Sequence, residues 1–321
     1  AQAFPPSWWA MQGLMGNVWS LLGYLLCALG AYGAVWLLMG GGYLTRTLSL
    51  TENTVRHKAR KRGEIRPHRP LTTLFLREWR EILRTPVYAY NCLTGCIIMP
   101  LMLVGMYFGG KEAAEVDNLG MMLSVVQGAL SQVSQVYLFL GLVALMTFIC
   151  CMNPAVDTAV SREGGRHMLS RMLPVSTRTQ LQAKLLMGMT INLISAIVGA
   201  VMFICLLPAF TPVILLALLF TQVTNWGLSS YSLALDAARP KFHWRNEMQA
   251  IKQNGNIALG MLISFLLLVI PVAVFFLLGE LALNARAAVV IGICIVESVI
   301  GYAILMRVAD TTYARMEDEG A

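Results

Sequence analysis

Glu297 is the one acidic side chain near the middle of a long apolar run. A carboxylate placed in lipid is expensive and usually has a role. Either it is protonated or paired inside a helix bundle, or it faces a water-filled path. A second set of polar side chains, Ser124, Gln127, Ser131 and Gln135, lies on one helical stripe of an otherwise apolar stretch. Such a stripe suits a translocation path, hydrogen bonds to neighbouring helices, or outer solvent. Little else in the chain has reactive chemistry. Cys92 and Cys96 share a helix face with no His or further Cys nearby, which fits small apolar packing residues rather than a metal site. No structural disulfide is expected. No paired carboxylates, His cluster or nucleophile motif stands at the membrane surface, so we expect no catalytic residue, metal or cofactor. No G-x-x-x-x-G-K-[ST] loop occurs, so ATP binding is not expected on this polypeptide.

The elements that must position these residues follow from composition. Of 321 residues, 57% are hydrophobic and 13% charged, against about 25% charged in soluble domains. Lipid is the expected solvent for most of the chain. Seven apolar stretches, about 17–44, 87–109, 135–152, 181–207, 212–234, 255–279 and 287–306, reach or approach the roughly 20 residues that cross the hydrocarbon. The third is short, and we expect it to continue backward to about Gly120 as one long helix. Open strands are excluded because lipid offers free backbone groups no partner. Pro100 and Pro271 are expected to bend their spans.

Orientation follows from Lys and Arg. Segment 45–86 holds 11 of them, 152–184 five, 235–253 four, and the tail after 306 two, while the alternate loops hold only Lys111 and Arg286. This alternation puts the N-terminus and the acidic residues Glu112, Glu115 and Asp117 outside and the C-terminus in the cytoplasm. The net charge of +7 thus reports topology, and no nucleic-acid partner is expected.

Three inner segments stand out. In 71–85, Leu71, Leu74, Phe75, Trp79, Ile82 and Leu83 recur at helical spacing opposite Arg77, Glu78, Arg80, Glu81 and Arg84, and Pro86 stops the pattern. That is an amphipathic helix suited to the membrane interface. In 155–180, Ser161-Arg162-Glu163-Gly164-Gly165 permits a sharp turn. A short stripe of Met168, Leu169, Met172 and Leu173 follows beside Arg166 and Arg171, and Thr177 with Gln180 resembles a capping box opening the fourth span. In 236–254, Arg239-Pro240-Lys241 breaks the fifth span, Trp244 suits the head-group level, and Glu247, Ile251 and Asn254 share a helix face. The basic linker 45–70, rich in Lys and Arg, suits contact with anionic lipid head groups.

Together these segments resemble the permease subunits of ABC transporters of the second type, the type V exporter fold. The resemblance rests on FLREWREILRTP (Phe75 to Pro86), SREGGRHMLSRMLPVS (Ser161 to Ser176) and the D-x-x-R-P-K-x-x-W-x-x-E-x-x-A-x-K-Q-N run from Asp236 to Asn254. It implies an all-α, polytopic membrane helix bundle: a six-span exporter module with an interfacial elbow helix and a cytoplasmic coupling helix, preceded by one extra span. The expected divisions are an outer segment and extra span at 1–44, the basic linker 45–70, the elbow 71–86, the module 87–307 and a cytoplasmic tail 308–321. It further implies that Arg77, Glu78, Arg80, Glu81, Arg84, Ser161, Arg162, Glu163, Gly164, Arg166 and Arg171 couple to an ATPase. Asp236, Arg239, Pro240, Lys241, Trp244, Glu247, Lys252 and Asn254 would form a cytoplasmic docking motif.

The expected function is therefore that of the membrane permease of an ATP-driven exporter in a bacterial cell membrane. It is not itself an enzyme, and ATP hydrolysis falls to a separate ATP-binding subunit in two copies. The other expected partners are a preceding permease module or a second permease copy, and membrane lipids. The alternatives are an ion-coupled secondary transporter using Glu297 and a seven-helix membrane receptor.

Overall fold

The computed structural model describes residues 5–40, 69–93, 97, 101, 105 and 119–315. Most of the basic linker, most of the span expected at 87–109 (with Cys96 and Pro100), the acidic cluster after Lys111 and residues 316–321 lie outside the described residues. Those described are helical, with no strand among them. The chain divides into two compact units, Ala1–Pro67 and His68–Ala321.

In the first unit, α1 (Pro5–Leu14) folds back on α2 (Val18–Gly40). Gly16 turns the chain at φ 97°, a left-handed conformation that side chains resist. Ser20 Oγ donates to Gln12 Oε1 at 3.1 Å across the hairpin. The span expected at 17–44 corresponds to α2, which carries no charged residue.

The second unit begins with α3 (Pro70–Arg84), which covers the segment expected to be amphipathic. Pro70 occupies its first turn, where a missing N–H costs nothing. Thr85 adopts an extended conformation before Pro86, as a residue preceding proline must, and the helix stops. Leu74, Glu78 and Ile82 are buried on one face, against α6 (Thr177–Leu206). A further helical stretch, 86–93, leads away.

α4 (Leu119–Gln132) and α5 (Gln135–Cys151) replace the single long helix expected from Gly120 to 152. The chain bends there by 117°. The cause is local. Ser131 Oγ donates back to Gly128 O at 2.7 Å, Val133 N tightens onto Leu130 O, and Ser134 turns extended, its carbonyl accepting from Tyr137 and Leu138. Serine competes for backbone groups in this way and ends helices that apolarity alone would continue.

After α5 the chain forms two short turns, Pro154–Asp157 and the 3-10 helix Ser161–Arg166, then a five-residue helix, His167–Arg171. α6 opens one residue earlier than the capping box suggested. Ser176 Oγ accepts from Thr179 N, while the Gln180 side chain donates to Val175 O at 3.1 Å instead. α7 (Thr211–Ala238), α8 (Glu247–Lys252), α9 (Gly255–Leu277) and α10 (Leu283–Asp310) complete the bundle. α9 runs through Pro271 as one element.

Among the described residues, four helices are long and apolar enough to cross a membrane: Thr177–Leu206, Pro208–Ala238, Glu247–Leu277 and Leu283–Ala314. Counting α4–α5 as one broken span makes five. The protein is thus an all-helical, multi-pass membrane bundle, with fewer long apolar helices among the described residues than the seven expected. α7 holds the centre, packed against α5, α6 and α9 and most extensively against α10. One apolar core joins Phe139, Val143 and Met146 of α5 to Ala200 and Phe203 of α6 and Ile214 of α7. A second joins Val160, Leu181, Leu185, Leu233 and Leu305.

The α7–α10 crossing depends on Gly227 and Gly301. A Cβ on Gly227 would lie 2.5 Å from Ser298 Cα, and one on Gly301 would lie 2.7 Å from Gly227 O. Ser298 Oγ donates across the seam to Val223 O at 2.7 Å. Small residues let backbones approach, and close packing drives helix association where no hydrophobic effect remains. Gly227→Val should therefore force the helices apart and destabilise the bundle by about 2–3 kcal/mol. A thermal melt of the detergent-purified variant reads this, and an unchanged midpoint would mean the seam is looser than drawn.

Candidate functional site

The three inner segments singled out by sequence meet in one buried polar cluster. α3 supplies Glu78 and the start of α6 supplies Lys184. The turn after α5 supplies Glu163, so one ammonium faces two carboxylates. Lys184 Nζ lies 2.8 Å from Glu78 Oε1, 2.7 Å from Glu163 Oε1 and 2.9 Å from Ala159 O. All three side chains are under 10% exposed. An ammonium has three protons, and all three are used.

The two carboxylates share that cation unequally. For Glu78, burial dominates and pushes the carboxyl above its ordinary value despite Lys184, with Glu163 and Glu81 adding repulsion. For Glu163, burial is the largest influence and acts upward, but the Lys184 ammonium, with help from Arg77 and the Ser170 hydroxyl, outweighs it, and the carboxyl sits below its ordinary value.

Arg162, 1% exposed, is held beside this trio. Its Nη1 donates to Ala155 O at 2.8 Å and Thr158 Oγ1 at 3.1 Å, and its guanidinium lies 5.7 Å from the Tyr88 ring centroid. Peripheral bonds add to the tie between α3 and the turn. Arg166 meets Glu81 at 2.6 Å, and Arg77 Nη2 donates to Ser170 Oγ at 2.6 Å.

Asp236, at the end of α7, fastens the same turn from the other side. Its Oδ2 accepts from Val160 N at 2.7 Å and Ser161 N at 3.0 Å, and its Oδ1 accepts from Ser161 Oγ and, at 2.8 Å, from Asn256 Nδ2 of α9. Asn256 Nδ2 also donates to Arg239 O at 2.8 Å. Lys241 N donates to Ser161 Oγ, Lys241 Nζ to Gln253 O, and Trp244 Nε1 to Ser161 O. The Trp244 ring lies on Gly164: a Cβ there would stand 2.5 Å from Trp244 Cζ2. Gly164 also has φ 51°, so glycine is required twice over. His167 stacks on Phe242 at 3.9 Å between ring centroids.

The remaining positions of the 236–254 run cap and space these contacts. Pro240 follows the last residues of α7, Glu247 opens α8, Lys252 is exposed, and Asn254 accepts from Asn256 N at 3.1 Å to start α9. Ile251 is buried with Tyr88.

Of the coupling residues expected from the resemblance, Glu78, Ser161, Arg162, Glu163 and Gly164 are buried inside the cluster. Arg80, Arg84 and Arg166 are exposed, as is the apolar strip of Met168, Leu169 and Met172 that follows Arg166 in the chain. Arg171 ends the short helix of that strip. Arg77, Arg80, Glu81, Arg84 and Arg166 line one cleft.

The stripe and Glu297 lie apart from this cluster in the chain. Ser124 and Ser131 donate to carbonyls of their own helix, Gln127 Nε2 reaches Leu206 O at 3.4 Å, and Gln135 opens α5. Glu297 is half-buried on α10, with no ion pair among the described residues.

Sequence reading did not single out Lys184, Asp157 or Asn256. Lys184 counted as one more inner-face cation. The only signal marking it was its position eight residues into a helix whose neighbours are apolar. Asn256 lies two residues past the 236–254 run. No protein-family model, curated protein or solved structure matches this chain, and the interlocked cluster is accordingly the feature on which its function must be argued.

Proposed function

We propose that the chain is the membrane permease of an ATP-driven exporter, moved by a separate ATPase subunit that docks on the exposed rim of the cluster. The observation supporting this is the convergence of three separated segments on one buried turn. Residues 161–166 are tied to α3 through Glu78 and Glu81, to α6 through Lys184, to α7 through Asp236 and, through Asp236 and Asn256, to α9. A push on Met168, Leu169 or Met172 would therefore be delivered to several long apolar helices together. Packed and ionically tied elements carry such displacements because they are not continuously deformable. The rim itself pairs an apolar strip with arginines, the chemistry of a protein-docking patch.

On this reading the buried members of the set, Glu78, Arg162 and Glu163, transmit force, while Arg80, Arg84, Arg166 and the Met168–Met172 strip meet the partner. The substrate path would run among the long helices, with the Ser124 to Gln135 stripe and Glu297 as candidates for its lining.

The test is affinity purification of the full chain from its native membranes, with mass spectrometry of what accompanies it. A subunit bearing a G-x-x-x-x-G-K-[ST] loop is expected. Leu169→Asp with Met172→Asp should reduce its recovery at least tenfold, while leaving the permease's own melting midpoint within the small range of surface changes, about 0.5 kcal/mol. Recovery of no such subunit, or unchanged recovery with the double variant, would remove the reading. Proton-driven flux without ATP would replace it with the ion-coupled alternative.

A further inference from the structure

Asp157 is 4% exposed and has a carboxyl oxygen, Oδ2, with no hydrogen-bond partner among the described residues. It sits in the turn Pro154–Asp157, fixed by Asn153, whose side chain accepts from Ala155 N at 3.0 Å. The carboxyl lines a cavity of about 10 Å³, the space of one water. The walls come from four long helices: Cys151 of α5, Asn192 of α6, Asn225, Ser229 and Ser232 of α7, and Ser264 of α9. A second orphan lines the same cavity, Asn225 Nδ2, on a residue 1% exposed. α9 closes over the group, since a Cβ on Gly260 would stand 3.2 Å from Asp157 Cγ and 3.1 Å from Ser232 Oγ.

Among the described residues, no cation is bonded to this carboxyl. The groups around it are Cys150 and Cys151 from α5, Asp236 from α7 and Arg162 from the following turn, whereas Asn192 and Ser264 are what α6 and α9 present. Arg162 Nη1 is spent on Ala155 O and Thr158 Oγ1, and its Nη2, without a partner among the described residues, makes no bond to Asp157. A buried carboxylate with no bonded cation and with Asp236 nearby is costly, and adding a proton removes the cost. One water would then accept from the new O–H and from Asn225 Nδ2 and donate to serine hydroxyls, satisfying both orphans at once.

We propose that Asp157 is a proton-binding site at the junction of α5, α6, α7 and α9, its proton held through a single water shared with Asn225. Binding forms one O–H bond on Oδ2 with a proton drawn from bulk water. The packed junction requires the proton, and a rearrangement that admits water there releases it, so bundle geometry and proton occupancy are linked. The site is separate from the exposed rim and does not depend on an ATPase partner.

The direction of the pH effect follows. Burial, the largest influence, raises the Asp157 carboxyl to about 8, Asp236 adds to this, and Ser232 and Arg162 oppose it. In the unfolded chain the group titrates in the ordinary range, near 3.8. Between these values the folded protein holds one more proton than the unfolded one. Its contribution to stability is therefore full below the ordinary range and is lost as pH rises through about 8, by about tenfold in folding equilibrium per pH unit.

The full chain in detergent tests this in two ways. Infrared difference spectra of wild type minus Asp157→Asn at pH 7 should show the carbonyl stretch of a protonated carboxylic acid, which fades as pH is raised past 8. Thermal midpoints followed from pH 5 to 9 should fall in wild type, and fall less in Asp157→Asn, which carries the neutral isostere. Absence of that stretch in the difference spectrum, or parallel midpoint profiles in the two proteins, overturns the proposal. If Asp157→Asn fails to fold, wild type and Asn225→Leu keep the test decisive: no protonated-acid band at pH 7 in wild type overturns the proposal, a band that shifts in Asn225→Leu, which lacks the amide sharing the water, supports it, and a band unmoved by Asn225→Leu overturns it.

Discussion

Lys184→Met is expected to destabilise the protein by about 3–5 kcal/mol, the cost of removing one partner from a buried ionic group. The side chain fits the space, since Met and Lys have similar length, so the loss is electrostatic rather than steric. Glu78 and Glu163 would face each other without the ammonium that now lies 2.8 Å from one and 2.7 Å from the other. Neither can move to solvent, because both are nearly fully buried. The measurement is the detergent melting midpoint by size-exclusion chromatography after heating, with a drop of about 10 °C or more expected. The triple variant Lys184→Met, Glu78→Gln, Glu163→Gln should regain most of the loss, because buried ionic groups replaced together by neutral ones often cost little. The two glutamates are also distinguishable. Glu163→Gln alone should cost more than Glu78→Gln, since Glu163 is the carboxylate held below its ordinary value by Lys184 while burial already pushes Glu78 toward its neutral form. Equal midpoints for Lys184→Met and wild type would show that the trio contributes nothing to stability.

Asp236→Ala should cost a comparable amount by a different route. Its carboxylate accepts from two backbone N–H groups, one hydroxyl and one amide. Val160 and Ser161 are fully buried, so their N–H groups have no water to turn to once the acceptor is gone. Each orphaned buried donor costs about 1–3 kcal/mol, and the total should reach about 4 kcal/mol. The damage should also be local. Hydrogen exchange at the Val160 and Ser161 amides should accelerate by about a hundredfold or more, because the carboxylate bond protects both. Asp236→Asn keeps one acceptor oxygen but turns an NH2 toward donors, and should recover little. Exchange at those amides that stays at the wild-type rate would show that Asp236 does not hold the turn. Together the two variants separate the tie to α3 and α6 from the tie to α7 and α9. On the exporter reading, either should uncouple ATP hydrolysis from transport in whatever protein still folds.

Much of the bundle was legible without a structure. Apolar runs of sufficient length gave the helices 177–206, 211–238, 255–277 and 283–310, because a helix in lipid must satisfy its own backbone and needs only length and apolarity. Pro86 and the Arg239-Pro240 step marked true ends, since proline constrains the residue before it whatever the surroundings. The amphipathic pattern at 71–85 emerged as α3 with Leu74 and Ile82 buried, because amphipathic spacing is a local property. Where local signals competed, sequence reading failed. The apolar run from 120 to 152 hid the break at 133–134, where the Ser131 hydroxyl bonds back to Gly128 O and Ser134 leaves the helical conformation. The cap of α6 fell on Ser176 rather than Thr177: two adjacent hydroxyl residues offered the same chemistry to the helix start.

The charged inner segments divide along the same line. Their residue types and basic bias came from the sequence, since charge must sit where water or a partner can hold it. Which charges face water came only from the tertiary structure. Glu78 and Glu81 lie three residues apart on α3, yet one is sealed against Lys184 and the other reaches the exposed Arg166. Lys184 reads as an ordinary inner-face cation until Glu78, 106 residues away, closes on it. Asp236 and Ser161 are 75 residues apart, and nothing in either stretch specifies the other. Asp157 likewise turns from a loop acid into a buried proton site only when four helices enclose it. Helix positions are set by short-range periodicity and by the length of apolar runs, both written in the chain. The pairing of buried ions depends on contacts distant in sequence, and these exist only once the bundle has packed.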